Sequence, residues 1–363
     1  PTGNDFSADF STSGWTFGST LGGLTIGKSA TSADGNGDVN VTVANAISIT
    51  GPIAIYGKDL VVNGALTSTA ADGMITLKGS GAVSRGANGF VVADRLLLLG
   101  GNVTLDHASN NVNTLATSGV GSVKYWNSNA LTIGTVSGTD GISATGAVDV
   151  QTLTGNLTVA KNVATGDGST SAITLNASRS TDIASAAPAV GSDTAGNILI
   201  NNGVSITTGA NGRVVLYTGS IDNSAGVKAA AGCSTPLESC TNLRYGSDET
   251  TTRYSSALGS GTFAIYRERP TLGSGYVYGD SLPAGIQVTN PSLTGGNLNA
   301  GSYDLDSGAN FVLGLRPITV TLDSKSKPYG SSDPLLTYSL STGSLIGSDA
   351  LTLSRASGEA PGR

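Results

Sequence analysis

Residues able to do acid–base or nucleophilic chemistry are few in this chain of 363 residues. It contains a single histidine, His107, and a Ser/His/Asp arrangement would have to use it as the base. A lone histidine beside Asp106 at the end of an apolar stretch is more often a surface residue. Acid–base catalysis also needs clustered carboxylates, and acids are sparse between residues 39 and 220, in no repeated register. We therefore expect no catalytic residue and no cofactor.

One short segment has the spacing of a metal loop. In Asp34-Gly-Asn-Gly-Asp38, oxygen-bearing side chains stand at alternate positions, Asp34, Asn36 and Asp38, as they do in calcium-binding loops. The segment lacks the later glutamate of a helix–loop–helix calcium site. A glycine-rich corner of the backbone is the alternative interpretation, so these residues are only a weak calcium candidate.

The two cysteines, Cys233 and Cys240, are close together in the segment CSTPLESC. Six intervening residues, Pro236 among them, allow a small disulfide loop, which would suit an oxidising, exported location. Two free thiols in a loop are the alternative. A zinc site is not expected, because the spacing differs from that of zinc motifs and the histidine is far away in sequence.

Two sets of repeated polar residues allow further binding roles. Sequons for N-linked modification begin at Asn40, Asn102, Asn156 and Asn176. In a chain so rich in Asn and Thr, such sequons also arise by chance. Rows of threonine on a flat face can order water, as in ice-binding solenoids, or can simply be the outward positions of one-sided strands. Threonine stands between two apolar residues at Thr42, Thr76, Thr104, Thr132, Thr158 and Thr174.

The composition excludes several classes of protein. The formal net charge is −6, only 12% of residues are charged, and no basic run is present, so nucleic acid is not an expected partner. No apolar run approaches the roughly 18 residues of a membrane helix. The abundance of Val, Ile and Thr argues against disorder, and 52 glycines favour a β-rich chain with many turns.

The apolar residues show how such a chain is built. Between Leu131 and Val159 they form short alternating pairs, such as Leu131/Ile133 and Leu157/Val159, separated by Gly, Thr, Ser, Asn and Asp. Alternation is the period of a strand with one buried face. Such short strands are stable when the chain winds so that each lies on the one before it, in coils of roughly 20 to 30 residues. The run Leu96–Leu99 predicts a strand covered on both faces or a partner outside the coil.

Changes in composition and strand pattern along the sequence predict four regions. Residues 1–225 form the solenoid, and residues 226–269, richer in charge and Tyr, form a cap or linker with the disulfide loop. Residues 270–316 and 317–363 form two small β modules, each with a Tyr-Gly…Pro segment, Tyr278–Pro283 and Tyr329–Pro334. The second module lacks the closing half of the first, so we expect the chain to be a fragment.

Several segments resemble a known family. LTIGKSAT, ISITGPIAIYG, LVVNGALTSTAADGMITLKGSGAV and GGNVTLDHASNNVNTLATSGVGSVKYW are similar to the repeats of filamentous-haemagglutinin-like exoproteins, the secreted partners of two-partner secretion systems. The segment KPYGSSDPLLTY resembles the glycine-rich module called MBG, which follows such repeats in some of these proteins. The N-terminal secretion domain of the family is not evident in this sequence.

The resemblance implies an all-β fold, a right-handed parallel β-helix followed by small β-sandwich-like or β-grasp-like modules. It also implies export through an outer-membrane transporter and display on, or release from, a Gram-negative cell, in adhesion or biofilm building. Surface glycans, receptors and self-association are the partners we expect. The alternatives are a fibre completed by strand exchange and a β-helical polysaccharide lyase or hydrolase.

Overall fold

The computed structural model describes residues 10–27, 39–179, 195–233, 242–252, 254, 257–268, 318–328, 330–343, 345 and 350–355, and the backbone of three short strands within 291–313. The chain divides into two compact units, the first containing residues 1–271 and the second most of the remainder. The first unit is a parallel β-solenoid of about nine turns, which confirms the predicted fold class.

Twenty-two strands of the first unit belong to one continuous sheet, in which every pairing is parallel. Its first part contains β1 Phe10–Ser11, β2 Leu24–Ile26, β3 Val41–Val43, β4 Ile47–Ile49, β5 Ile53–Val62, β6 Leu66–Ser68, β7 Met74–Arg85, β8 Val91–Leu99 and β9 Asn102–Leu105. The middle part contains β10 Asn111–Val120, β11 Val123–Asn127, β12 Leu131–Ile133, β15 Ile142–Ala144, β16 Val148–Thr152, β17 Leu157–Val159, β18 Val163–Thr165 and β19 Ile173–Asn176. The last part contains β20 Ile198–Ile200, β21 Ile206–Thr207, β22 Arg213–Thr218, β23 Leu243–Arg244 and β24 Gly261–Tyr266. Two strands between β12 and β15, β13 Thr135–Val136 and β14 Thr139–Asp140, form a separate sheet, and the helix α1 Val227–Ala230 lies between β22 and β23.

The core is made by like residues stacked in register. Leu131 of β12 pairs with Leu157 of β17, which pairs with Ile198 of β20, and these side chains are almost completely buried. In β11 the residues alternate between buried and partly exposed along its whole length. Because side chains alternate across a strand, the short apolar pairs of the sequence fill a continuous interior, as predicted.

The four consecutive leucines are explained by a hairpin outside the coil. Strands β13 and β14 pair antiparallel, and the turn between them holds Ser137 and Gly138 at φ of 50° and 80°, the left-handed region that two-residue hairpins use. Val136 is fully buried against Leu97 and Ala116. The outward-facing Leu97 is therefore covered, and the predicted partner outside the coil is confirmed.

Buried polar side chains satisfy the backbone where the coil turns. The side chain of Asn127 is fully buried. Its Oδ1 accepts from the backbone N–H of Val112 at 2.9 Å, and its Nδ2 donates to carbonyl oxygens of Val112, Asn129 and Ala130. Asn110 acts similarly one coil earlier, accepting from the N–H of Val91. Such bonds replace water for backbone groups that a corner would otherwise leave unpaired.

The parallel stack extends beyond the predicted boundary at residue 225. Strand β24 pairs in parallel with β22 along six residues, and β23 pairs with the other edge of β24. The charge and tyrosine content of residues 226–269 indicated a cap or linker, yet part of it is packed into the last coil. The side chain of Arg267 is fully buried, and its guanidinium donates to the carbonyl oxygen of Ala177 and to Asn176 Oδ1, both at 2.7 Å.

The second unit contains small antiparallel sheets. Within the predicted module 270–316, one sheet is formed by β25 Pro291–Thr294, β26 Asn297–Ala300 and β27 Val312–Leu313. Within 317–363, β28 Thr319–Leu322 pairs with β29 Tyr338–Thr342. Apolar side chains of this second sheet region are exposed, most of all Leu335 and Leu322, at 84% and 64%.

The corner network makes a testable prediction about stability. Asn127→Ala should lower the free energy of unfolding by about 2–3 kcal/mol, because it leaves buried N–H and C=O groups without partners. Asn129→Ala is the matched control: this side chain is exposed and makes only surface bonds to Asn111 and Ser128, so a change within about 0.5 kcal/mol is expected. Urea unfolding followed by far-UV circular dichroism measures both. Equal losses would contradict the role of the corner.

Candidate binding site on the solenoid face

One outer face of the solenoid carries charged and aromatic side chains on neighbouring coils. Lys124 of β11 lies in register with Thr104 of β9 on one side and with Asp149 of β16 on the other. Two positions further along the same strands, Trp126 lies beside Gln151. Because Val123, Tyr125 and Asn127 face inward, their neighbours Lys124 and Trp126 must share the outer surface.

Asp106 lies between two cations. Its Oδ1 accepts from Arg85 Nε at 2.8 Å, its Oδ2 lies 3.0 Å from Lys124 Nζ, and its side chain is only 14% exposed. Burial acts to raise the pKa of Asp106, but the hydrogen bonds and charges of Lys124 and Arg85 outweigh it and lower that pKa. This carboxylate is therefore held ionised, and it joins β7, β9 and β11 across the sheet.

Asp149 is in the opposite electrostatic situation. Its desolvation by the surrounding protein raises the pKa of its carboxyl group. A hydrogen bond from Gln151 and the charges of Lys124 and Arg179 partly offset that effect, whereas the nearby Asp106 adds to it. Two carboxyl groups on one face thus have their pKa values moved apart by their surroundings.

Trp126 supports a guanidinium group. The Cζ of Arg179 lies 3.9 Å from the centre of the Trp126 ring, and Lys124 Nζ lies 5.2 Å from it. Both are cation–π distances. The backbone N–H of Arg179 donates to the carbonyl oxygen of Thr152 at 2.8 Å, which fixes the chain beside the ring. Trp126 Nε1 and Gln151 Oε1 are buried and bond to no residue that the structure describes.

We call this surface the Trp126 face; it is defined by Arg85, Asp106, Lys124, Trp126, Asp149, Gln151 and Arg179. This face was not predicted from the sequence, because Asp106 and Asp149 stand in no repeated register along the chain. One signal was present in the sequence: the pattern Lys-x-Trp at 124–126 and the pattern Asp-x-Gln at 149–151 are 25 positions apart, one coil length of this solenoid. Repeated outward charges at the coil period indicate a shared surface.

The sequence-predicted site residues lie elsewhere. The calcium candidate Asp34, Asn36 and Asp38 falls outside the described residues. Cys233 is disulfide-bonded, but Cys240 lies outside the described residues, so the pairing of the two stays a prediction.

His107 is next to the Trp126 face in sequence, but its ring is used in packing. The imidazole stacks on Phe90 with ring centres 5.3 Å apart, and its Nδ1 accepts a hydrogen bond from the backbone N–H of Ser109 at 3.0 Å. These two contacts are those of a packed surface residue at a turn, and neither is with a residue that would act as its catalytic partner.

The four sequon asparagines have different environments. Asn176 is fully buried and bonded to Arg267, so it is inaccessible to a modifying enzyme in the folded chain. The side-chain oxygens of the other three accept from backbone N–H groups of the next coil, at distances of 2.9 to 3.3 Å; they are Asn40, Asn102 and Asn156. The repeated asparagines thus connect successive coils.

The threonines do not form one continuous row. Thr132 pairs with Thr158, but the next residue in that register is Leu199. Thr104 is followed in its row by the charged Lys124, and Thr76 is buried. The threonines therefore fit the simpler interpretation, that they occupy the outward positions of one-sided strands.

The described residues show neither a cluster of metal ligands nor a helix suited to span a membrane. Within that part of the chain, no three or more His, Cys, Asp or Glu side chains are grouped to hold a metal ion. The same residues contain no helix with the length and apolar character needed to span a membrane.

The two aspartates of the Trp126 face should affect stability in opposite directions. Asp106→Asn should lower the free energy of unfolding at pH 7 by about 1 kcal/mol, because Arg85 and Lys124 lose their ionised partner. An aspartate whose pKa is lowered on folding stabilises the protein above the unfolded value of about 3.9 and loses that effect as the pH falls through its folded pKa. The difference between this variant and the wild type should therefore vanish in acid.

Asp149→Asn should raise the free energy of unfolding at pH 7, since it removes the cost of keeping an ionised carboxylate desolvated. Because the pKa of Asp149 is raised on folding, the wild type loses stability as the pH rises through the interval between about 3.9 and that higher value. The advantage of the variant should thus disappear below this interval. Urea unfolding at a series of pH values measures both variants, and shifts of the same sign at pH 7 would contradict the assignment.

Comparison with known proteins identifies one part of the chain. The family described as MBG domain (YGX type) matches residues 318–363, which include β28 and β29. The search of curated proteins found no match, and the search of solved structures found none. The second predicted module is therefore supported as an MBG-type domain, and the first unit is characterised by its β-solenoid.

Proposed function

We propose that this chain is part of a secreted adhesive or structural rod of a Gram-negative bacterium, related to filamentous-haemagglutinin-like exoproteins. The observation that carries the proposal is the uninterrupted parallel sheet from β1 to β24, in which like residues stack coil on coil. A solenoid of this kind grows along one axis and can hold binding surfaces away from a cell. The MBG match is the second support, because such modules suggest an extracellular protein.

The mechanism we propose is display rather than catalysis. The core is apolar, while the outer surface is mainly Thr, Ser and Asn, with charged groups concentrated at a few places such as the Trp126 face. Many weak contacts along a rod add up through effective concentration, without any single tight site. Export through the outer-membrane transporter of a two-partner secretion system, and adhesion or biofilm building, belong to this proposal.

A self-assembling fibre is the second candidate, and one observation favours it. Leu322 at the end of β28 and Leu335 before β29 are largely exposed. A two-stranded sheet is only marginally stable without a covered apolar face. A strand supplied by another copy would cover such residues, and filaments that form with rising protein concentration, seen by electron microscopy, would support this alternative.

Cleavage of polysaccharides is the third candidate, and it rests on the two aspartates whose pKa values are moved apart, as in acid–base pairs. Release of reducing or unsaturated ends from a polysaccharide, abolished by Asp106→Asn, would favour it. The proposal of a binding role expects no such release.

Surface localisation tests the main proposal. Antibodies raised against the chain should label intact, unpermeabilised cells, or should capture the released protein from the culture supernatant. Deletion of the cognate outer-membrane transporter should abolish both signals while leaving the protein detectable in lysed cells. Labelling that appears only after permeabilisation of wild-type cells would overturn the proposal.

A further inference from the structure

Arg179 is held in place, while its guanidinium has no hydrogen-bonding partner among the residues that the structure describes. Its Cζ stacks 3.9 Å from the Trp126 ring centre, and its backbone N–H is bonded to Thr152. No residue that the structure describes forms a hydrogen bond or an ion pair with the guanidinium. The five donors of this group lie in its plane, so stacking covers one face of the group and leaves the donors available. An oriented, partly exposed guanidinium is suited to a planar anion.

Lys124 adds a second cation beside the same ring. Its Nζ lies 3.0 Å from Asp106 Oδ2 and 5.2 Å from the Trp126 ring centre, and its side chain is 45% exposed. An ammonium group has three donors, and this ion pair uses one of them. Lys124 can therefore contact a ligand without giving up its bond to Asp106.

The charges of the Trp126 face do not cancel. The face contains three cations, Arg85, Lys124 and Arg179, and two aspartates, Asp106 and Asp149. The formal net charge of the whole chain is −6. Asp106 is engaged by Arg85 and Lys124, which leaves Asp149 as the anion whose charge acts on Arg179 without forming an ion pair with it. An external anion would compete with Asp149 for that guanidinium, so the face is a local cationic point on an acidic protein.

We propose that the Trp126 face binds carboxylate groups of an acidic polysaccharide, with Arg179 as the two-pronged donor and Lys124 as the second cation. The planar fork of a guanidinium matches a carboxylate. Strands β11, β16 and β19 are paired in register, and with about 4.8 Å between neighbouring strands they present a regular series of outward positions to a linear polymer. Thr174, in register with Asp149 on the same face, can meet a sugar hydroxyl.

This inference rests on the proposed extracellular location, where such polysaccharides occur. A nucleic acid is less suited to this face, because its binding depends on many phosphate contacts and the face offers few cations. A single oriented arginine with a lysine beside it instead suits a polymer whose carboxylates are spaced along sugar units.

Binding of the whole 363-residue chain to immobilised polygalacturonate tests the proposal, with neutral dextran as the reference surface. The wild type should bind polygalacturonate and not dextran, and added salt should weaken the binding. Arg179→Gln should raise the Kd about tenfold, the effect of losing a hydrogen bond to a charged group. Asp149→Asn should lower the Kd, because it removes the internal competitor.

The matched control is Lys161→Gln. Lys161 is similarly exposed, pairs with Asp140 at 3.1 Å, and lies outside the Trp126 face, so this variant loses the same charge and should change the Kd less than about twofold. Trp126→Leu should weaken binding without any change of charge, because Arg179 loses its support. Urea unfolding of each variant shows that the fold is retained.

Absence of wild-type binding, or equal losses in Arg179→Gln and Lys161→Gln, would overturn the inference. Surface labelling of intact cells together with absent polygalacturonate binding would refute this site alone and leave the proposed function standing. Binding that needs Arg179, in a protein found only inside permeabilised cells, would refute the proposed function instead.

Discussion

Parallel pairing of each strand with the strand one coil away is the constraint on which the whole first unit depends. Such pairing requires that inward and outward positions coincide from coil to coil, because a slip by one residue would turn every side chain to the opposite face. The register Leu131–Leu157–Ile198 shows how the requirement is met. Every other feature of the unit, including its corners, its last coil and the Trp126 face, follows from how the chain maintains that register.

Maintaining the register has a cost at the corners, where backbone groups leave the ladder. Asn127 and Asn110 satisfy these groups from inside the coil, and Asn102 and Asn156 do so from outside. The same logic appears at the last coil, where Arg267 bonds to a carbonyl oxygen and to Asn176. Buried polar groups in this protein therefore act mainly to define where the chain turns and where the stack ends.

The outer surface follows from the same repetition. Because most outward residues are uncharged, a few charges placed on adjacent coils have a large local effect. Stacking brings four charged residues from different coils within interaction distance: Arg85, Lys124 and Asp149 in strands, and Asp106 directly after β9. A solenoid whose outward residues are mostly uncharged, with a charged and aromatic face, is consistent with binding through separated contacts.

The sequence by itself determined the class of fold, the inward and outward pattern and the coil period, because alternation is a local property of a strand. The motif KPYGSSDPLLTY likewise predicted the MBG-type module that the family comparison supports. Only the tertiary structure decided which distant residues meet. Arg267 bonds to Asn176, 91 positions away, Val136 covers Leu97, and Arg179 lies on Trp126. These contacts depend on the number of residues in each corner and insertion, which sets how strands align laterally. A single sequence does not show that alignment, so the Trp126 face emerged only once the coils were stacked.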